Sequence, residues 1–257
     1  MNGHFIRCIT GCLIVFLLYG LFAIKNVAFA NSASKSDFIV AIDVGHSLKR
    51  SGAVSARGKT EYEFNANMAE HLLERLKKDG FARSFIINHD GQDLTLRERA
   101  DIANSRNASL LISIHHDSVQ PQYLKLWLFN GVMRKYSDRY FGYSIFYSEL
   151  NTHSRMSLFF ARLLGGAMRK AGFVPTLHHA EKIPGEGRNL IDAERGVYRV
   201  DNFGIVKAPR MPAVLIESGI IVNRKEEARL RNTEFRQNII SAISNAVDLY
   251  YAKKVER

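Results

Sequence analysis

Thiols are almost missing from this chain. Its two cysteines, Cys8 and Cys12, both fall in the first thirty residues, so a chain processed there has no disulfide and no cysteine-based metal or nucleophile chemistry. A metal would have to be held by His, Asp and Glu. The apolar stretch from Ile9 to Ile24 counts sixteen residues against the roughly 20 that a membrane-spanning helix needs. No continuous Lys/Arg run with interleaved aromatic residues occurs, which removes the usual footprint of a nucleic-acid binder. Internal repeats and low-complexity tracts are absent, which excludes solenoids and arrays.

What the first thirty residues do contain is Arg7, that apolar core, and Ala28-Phe29-Ala30, a small-x-small cleavage signature. They are expected to form a secretory signal peptide cut after Ala30, the alternative being an uncleaved anchor. A polar linker, Asn31 to Asp37, follows, and then one catalytic-size domain from Phe38 to Arg257. The remaining 227 residues carry a formal charge of +9, the 36 basic residues less Arg7 and Lys25 against 25 acidic ones. A basic exported protein meets an anionic surface, such as cell-wall polymer or phospholipid headgroups. The periplasm or cell envelope is the expected location.

From Phe38 onward strand-like and helix-like stretches alternate. Phe38 to Val44, Phe81 to Asn88, Ser109 to His115 and Pro212 to Glu217 read as buried strands. Helical period runs over Glu61 to Lys78, Leu94 to Asn107, Ser154 to Ala171 and Thr233 to about Tyr250, with a short segment at Arg224 to Leu230. Such alternation predicts an α/β fold with βαβ units and a mainly parallel sheet covered by helices. Leu124 to Phe129 and Tyr143 to Tyr147 are candidate strands, read together as a hairpin beside the site. Phe173 to Arg199, with Pro175, Pro184, Gly185 and Gly187, reads as one long loop, and long loops in compact domains are often functional.

The chain is organised around Ile39 to Glu61. A strand ending in Gly45-His46 places a side chain with lone pairs at a sheet edge, where ligands bind in open α/β sheets. Fifteen residues on, Thr60 caps a helix opening with Glu61. At about 100° per residue Phe64, Met68, Leu72 and Leu76 lie within roughly 60° of Glu61, so Glu61 is on the buried stripe and Glu63 is not. A buried carboxylate needs a partner, and a cation would supply it. The strands ending at His46, His115 and Glu217 bring these three residues to one rim.

Two imidazoles and a carboxylate leave a fourth tetrahedral position for water, and zinc lowers the pKa of that water from about 15.7 to about 7. A further carboxylate is then needed to move the proton, a part open to Glu217. One such residue means little, since a lone His is more often structural. Four converging in a cysteine-free exported chain point to metal-assisted hydrolysis.

The chain resembles the zinc-dependent N-acetylmuramoyl-L-alanine amidases. The matching pieces are I-D-V-G-H with S-G-A-V following, E-Y-E-F-N-A-N-M-A, R-E-R-A-D-I-A-N, L-I-S-I-H-H-D-S and M-P-A-V-L-I-E-S-G-I-I-V-N, in the family's order across nearly the whole exported part. The resemblance implies a roughly six-stranded, mostly parallel sheet with helices on both faces. It implies that one zinc is held by His46, Glu61 and His115, with Glu217 as the catalytic carboxylate, and that the substrate is peptidoglycan, cut between the lactyl group of N-acetylmuramic acid and L-alanine. Three departures stand out: Ser47-Leu48 replaces the usual Gly-Gly, Asn88-His89 replaces a Thr-Arg pair, and only Ser148 to His153 fills the place where some members insert an autoinhibitory helix.

Among candidate substrate contacts, His116 is expected to be a supporting donor or to face solvent, with substrate contact as its alternative, and Arg188 is expected to pair with a substrate carboxylate unless its loop is a solvated connector. Asp43 is expected either to orient a ligand histidine or to cap its strand. Arg99 and Asn104 are expected to fix their helix against the third strand, and His178 and His179, which invite a metal reading, are expected in this Pro/Gly-rich stretch to face solvent or substrate instead. Trp127 and the tyrosines from Tyr136 to Tyr147 offer either a sugar-stacking wall or hairpin packing. A monomer is expected, with no nucleic-acid partner and any protein activator left open. The same ligands would serve an exported zinc peptidase or deacetylase. A non-catalytic wall-binding activator is disfavoured because all four chemical positions are filled.

Overall fold

β1, Val40–Val44, is buried along its whole length and lies inside the sheet, paired in parallel with β2, Phe85–Ile87, on one side and β3, Leu110–Asp117, on the other. The computed structural model describes residues 34–255, which belong to one compact unit; the expected signal peptide lies outside the described residues. β9, Ala213–Ile220, continues the parallel set beside β3. β6, Ser144–Tyr147, then runs antiparallel to β9. β8, Val197–Arg199, is parallel to β6, and β7, Asn189–Asp192, closes the edge antiparallel to β8. The order is β2-β1-β3-β9-β6-β8-β7.

The sheet has seven strands, one more than the resemblance implied, and is mixed. The difference arises in the stretch from Phe173 to Arg199, which is not one loop but carries β7 and β8. These strands are four and three residues long, too short to show an alternation amid prolines and glycines. Tyr143 to Tyr147 is likewise a strand of the main sheet and not half of a hairpin. The hairpin is formed by β4, Lys125–Phe129, and β5, Val132–Tyr136, turning at Asn130-Gly131 with φ of 50° and 77°, the left-handed pair that a two-residue hairpin turn requires.

Helices cover both faces. α1, Glu61–Lys78, α3, Ser154–Lys170, and α6, Thr233–Val255, pack Met68, Leu72, Leu164 and Ile243 against Val40, Ile42, Ile112, Ile114, Val214 and Ile216. On the other face α2, Leu96–Ser105, and the single turn α4, Gly204–Lys207, put Ala103, Ile205 and Val206 against Ala41, Leu111, Ala213 and Leu215. The alternation of these two sets along each strand follows from the pleat, and burial on both faces explains why the strands read as continuous apolar runs. α5, Arg224–Arg231, joins β9 to α6. α1 starts with a reciprocal cap: Glu63 N–H donates to Thr60 Oγ1, and Thr60 N–H donates to Glu63 Oε2 at 2.8 Å. Ahead of β1, Lys35–Asp37 forms a 3-10 turn capped by Ser34, and Lys35 pairs with Asp248, so this end of the expected linker is tied to α6.

Candidate metal centre

The register of the parallel strands decides which side chains meet. Val44 of β1 is level with Ile114 of β3, and the Gly45 N–H still donates to the Ile114 carbonyl at 3.0 Å. His46 therefore leaves β1 beside His115. Across β3 the next strand places Glu217 level with His115. Both project from the sheet face that carries Leu111 and Leu215, because they lie an even number of residues from them.

Glu61 reaches this edge from the first turn of α1. Its Oε2 is 2.9 Å from His46 Nε2 and its Oε1 is 2.9 Å from His115 Nδ1. One ligand atom from each of His46, Glu61 and His115 falls within 4.8 Å of the others. Burial pushes the Glu61 carboxyl up, but the hydrogen bonds and charges of His115 and His46 outweigh it and hold it far below the usual carboxylate range. Glu63, two residues on, is exposed and occupied in the helix cap.

Two glycines make room for this cluster. A Cβ on Gly45 would sit 2.4 Å from His115 Nε2, and one on Gly52, whose φ is +75°, would sit 2.4 Å from Glu61 Oε2. The chain is pressed against the three donors so closely that no side chain fits. Two imidazoles and a buried, ionised carboxylate converging in such a cradle fit a divalent metal of the zinc type.

A buried network holds the loop that presents His46. The Arg99 guanidinium, 4% exposed, donates to the carbonyls of Val44 and His46 and to Asp43 Oδ1 at 3.0 Å, while Ser113 Oγ donates to Asp43 Oδ2 at 2.6 Å. Asp43 thus touches no ligand histidine. It orients Arg99, which braces the end of β1 rather than β3, and Asn104 accepts instead from Arg210 N–H. The Asn88 side chain donates to the His46 carbonyl at 2.9 Å. His46 itself has φ 68°, an uncommon left-handed conformation held by these donors on its carbonyl.

Asn65 is a supporting residue that the sequence reading missed. Its Nδ2 donates to the Gly45 carbonyl at 3.1 Å and lies 3.4 Å from Glu61 Oε1, and its Oδ1 takes the Nδ1 proton of His116 at 2.7 Å. The available signal was its spacing, one helical turn after Glu61 on the buried side. His116 is 1% exposed and packs against Phe64. It therefore lies in the interior rather than on the substrate side, and burial, far outweighing the Glu61 charge, lowers its pKa to about 3, so it is neutral.

Glu217 stands apart from the three. Its Oε2 is buried without a hydrogen-bond partner, and burial together with the charges of Asp117 and Glu61 raises its pKa well above the ordinary value, with Arg188 acting the other way. The Arg188 guanidinium lies 4.8 Å from the Phe203 ring. A cavity of about 370 Å³ opens beside His46 and His115, walled by Ser47, Arg50, Asp93 and Leu96; Arg188 is not part of its lining. Trp127 is turned to the body of the protein, its Nε1 donating to the Ala56 carbonyl at 2.9 Å, with Arg57 and Arg224 over its ring. His178 and His179, expected to face solvent or substrate, are instead 3% and 6% exposed and lie with Asp117.

Residues 40–248 match the N-acetylmuramoyl-L-alanine amidase family. A relative from Buchnera aphidicola subsp. Baizongia pistaciae, named "Putative N-acetylmuramoyl-L-alanine amidase", is 26% identical over 223 residues, 85% of this chain and 99% of its own. The solved catalytic domain of CwlV, an N-acetylmuramoyl-L-alanine amidase from Paenibacillus polymyxa var. colistinus, is 26% identical with a TM-score of 0.60, covering 83% of this chain and 97% of that one. Ami1 from Mycobacterium smegmatis, 20% identical, has the same fold at a TM-score of 0.67, over 86% of this chain and all of its own. Sheet, helices and the match over four-fifths of the sequence agree: the chain belongs to the N-acetylmuramoyl-L-alanine amidase family and is an enzyme of that class.

Proposed function

We propose that the protein cuts peptidoglycan at the amide between the lactyl group of N-acetylmuramic acid and L-alanine, with one zinc held by His46, Glu61 and His115 and with Glu217 as general base. The observation that carries this reading is the convergence of those three donors, with Glu217 on the neighbouring strand at the level of His115. When bound, the zinc supplies Lewis acidity, making water nucleophilic at neutral pH and polarising the scissile carbonyl.

The other steps fall to the chain's own groups. Glu217 takes a proton from the attacking water and delivers it to the departing L-alanine nitrogen. Burial and the neighbouring acids raise the proton affinity of this carboxylate, which favours its taking the proton from water, and the departing nitrogen is the stronger base that receives it. Arg188 favours its ionised form through charge. Glu61 is held ionised, as a ligand must be. Asn65, Asn88 and Arg99 keep the His46 loop in place.

Export after cleavage near Ala30 and residence in the cell envelope complete the proposal. Among the described residues no helix is long and apolar enough to cross a membrane, and the basic charge suits an anionic wall polymer. The test is mass spectrometry of purified muropeptides after incubation with the protein, with and without a chelator. Release of free stem peptides that stops with chelation and returns with zinc is expected. Unchanged release under chelation removes the metal from the mechanism, and cleavage of simple peptides in place of muropeptides would favour a peptidase.

A further inference from the structure

A second cluster of metal-competent groups lies on the same sheet face, and the reaction assigns none of them a part as metal ligand, nucleophile or proton carrier. Asp117 ends β3 just past a shift in its register with β9, two residues beyond His115. His178 and His179 come from a 3-10 turn, His178–Ala180, in the chain between α3 and β7. His179 Nε2 lies 2.9 Å and His178 Nε2 3.4 Å from Asp117 Oδ2. The side chains are 1%, 8% and 12% exposed for His178, His179 and Asp117.

We propose that Asp117, His178 and His179 form a second divalent-metal site, of the zinc-type two-imidazole, one-carboxylate class, pinning the turn at residues 178–180 to the end of β3. The three atoms that face one another, Asp117 Oδ2, His178 Nε2 and His179 Nε2, are buried and none has a hydrogen bond of proper geometry. Three buried lone-pair atoms turned toward one another, with no well-directed hydrogen bond among them, are arranged as donors to a shared ion. Each histidine is also held from behind. His178 Nδ1 is 2.8 Å from Thr176 Oγ1, and His179 Nδ1 is 3.0 Å from Glu186 Oε2, which belongs to a carboxylate that in turn accepts from Gln120 Nε2 at 2.8 Å. A ligand histidine whose other nitrogen is bound to a carboxylate or hydroxyl is the usual arrangement in metal sites, because it fixes both tautomer and ring orientation. Tyr140 stacks on His178 at 5.0 Å between ring centres, which limits the ring's freedom further.

The competing occupant is a proton. Without a metal, burial pushes His179 down but the Asp117 and Glu186 carboxylates outweigh it and raise its pKa to about 9, so a protonated His179 between two acids is the alternative to an ion. This site shares no residue with His46, Glu61 and His115, so the ligands of each can be removed separately.

The test is metal content of the full chain by mass spectrometry after zinc loading and dialysis, with cobalt(II) titration followed by its d–d absorption as the second measurement. The wild-type chain should hold two equivalents. His46→Ala with His115→Ala should keep one, and adding His179→Gln should remove it while circular dichroism stays folded. In the cobalt titration His179→Gln alone should reduce two equivalents to one, which keeps the test valid if the double variant fails to fold. A folded double variant holding no metal, or a single cobalt equivalent in both wild type and His179→Gln, overturns the second site and leaves the proton as occupant. A wild-type stoichiometry of one that survives His46→Ala with His115→Ala but not His179→Gln would overturn the first site instead.

Discussion

The two clusters on this sheet use the same donors, two histidines and one acid, yet they are built in different ways. His46, Glu61 and His115 come from the end of a buried parallel strand, the first turn of a capped helix and the body of a second strand. Asp117, His178 and His179 come from a strand end past a register shift and a three-residue turn in a stretch broken by Pro175, Pro184, Gly185 and Gly187. In the first cluster regular elements fix the directions of Glu61 and His115, and His46 follows β1 by two residues, its loop held by Arg99 and Asn88. In the second the direction is imposed by outer partners, Thr176, Glu186 and Gln120, that only tertiary packing supplies.

The comparison breaks most visibly if either histidine of the first cluster is removed. His46→Ala and His115→Ala should each lose muropeptide cleavage to background together with the catalytic metal; full occupancy in either variant, measured by elemental analysis, would take that histidine out of the ligand set. Glu217→Ala comes next. It should keep its metal and its circular dichroism spectrum while the rate falls by about 10²- to 10⁴-fold, the usual worth of a positioned acid or base. Loss of metal here would make Glu217 a ligand, and near-normal turnover would sink the proposed mechanism.

Asn65→Ala probes the support behind the first cluster. Removing a group that holds a ligand in place typically costs about 10- to 100-fold in metal affinity, and competition with a fluorescent chelator would read it; unchanged affinity would leave Asn65 a packing residue. Arg188→Ala joins the two regions through charge. Arg188 lowers the pKa of Glu217, and the base works only when ionised, so rate rises as pH passes upward through that pKa. Without Arg188 the acid limb of the kcat/KM profile should move to higher pH, and Asp117→Asn, which removes a charge acting the other way, should move it to lower pH. Shifts of the same sign in both variants would contradict the arrangement.

The smallest effect is expected at Glu63. Glu63→Gln keeps a side chain able to complete the helix cap, so stability should stay within about 0.5 kcal/mol of wild type and metal content should not change. Metal loss here with retention in Glu61→Gln would reverse the assignment of the two glutamates.

Much of the first cluster was legible because periodicity carries direction. Glu61 shares a stripe with Phe64, Met68, Leu72 and Leu76, and all five are buried as the helical angle requires. The strands read as ending at His46, His115 and Glu217 are parallel neighbours, as helices between buried strands lead one to expect, although β3 and β9 run on to Asp117 and Ile220; parallel strands deliver their C-terminal ends to one rim. The start of α1 was legible in its cap as well, since Thr60 and Glu63 act on groups three residues apart.

What the sequence could not give is whatever depends on residues far apart in the chain. β8 exists because β6 offers it an edge, and β7 because β8 then does, not because three or four residues prefer to be extended. Asp43 turned to Arg99, fifty-six residues away, instead of to a ligand histidine. His116 went inward because its strand continues two residues past His115, and His178 and His179 went inward because Asp117 and Glu186 were there to receive them. Local pattern by itself determined the long helices, the buried parallel strands and the rim on which the proposed metal donors stand. Tertiary structure decided which buried polar groups pair, because the cost of leaving such a group without a partner is settled only when the chain has closed around it.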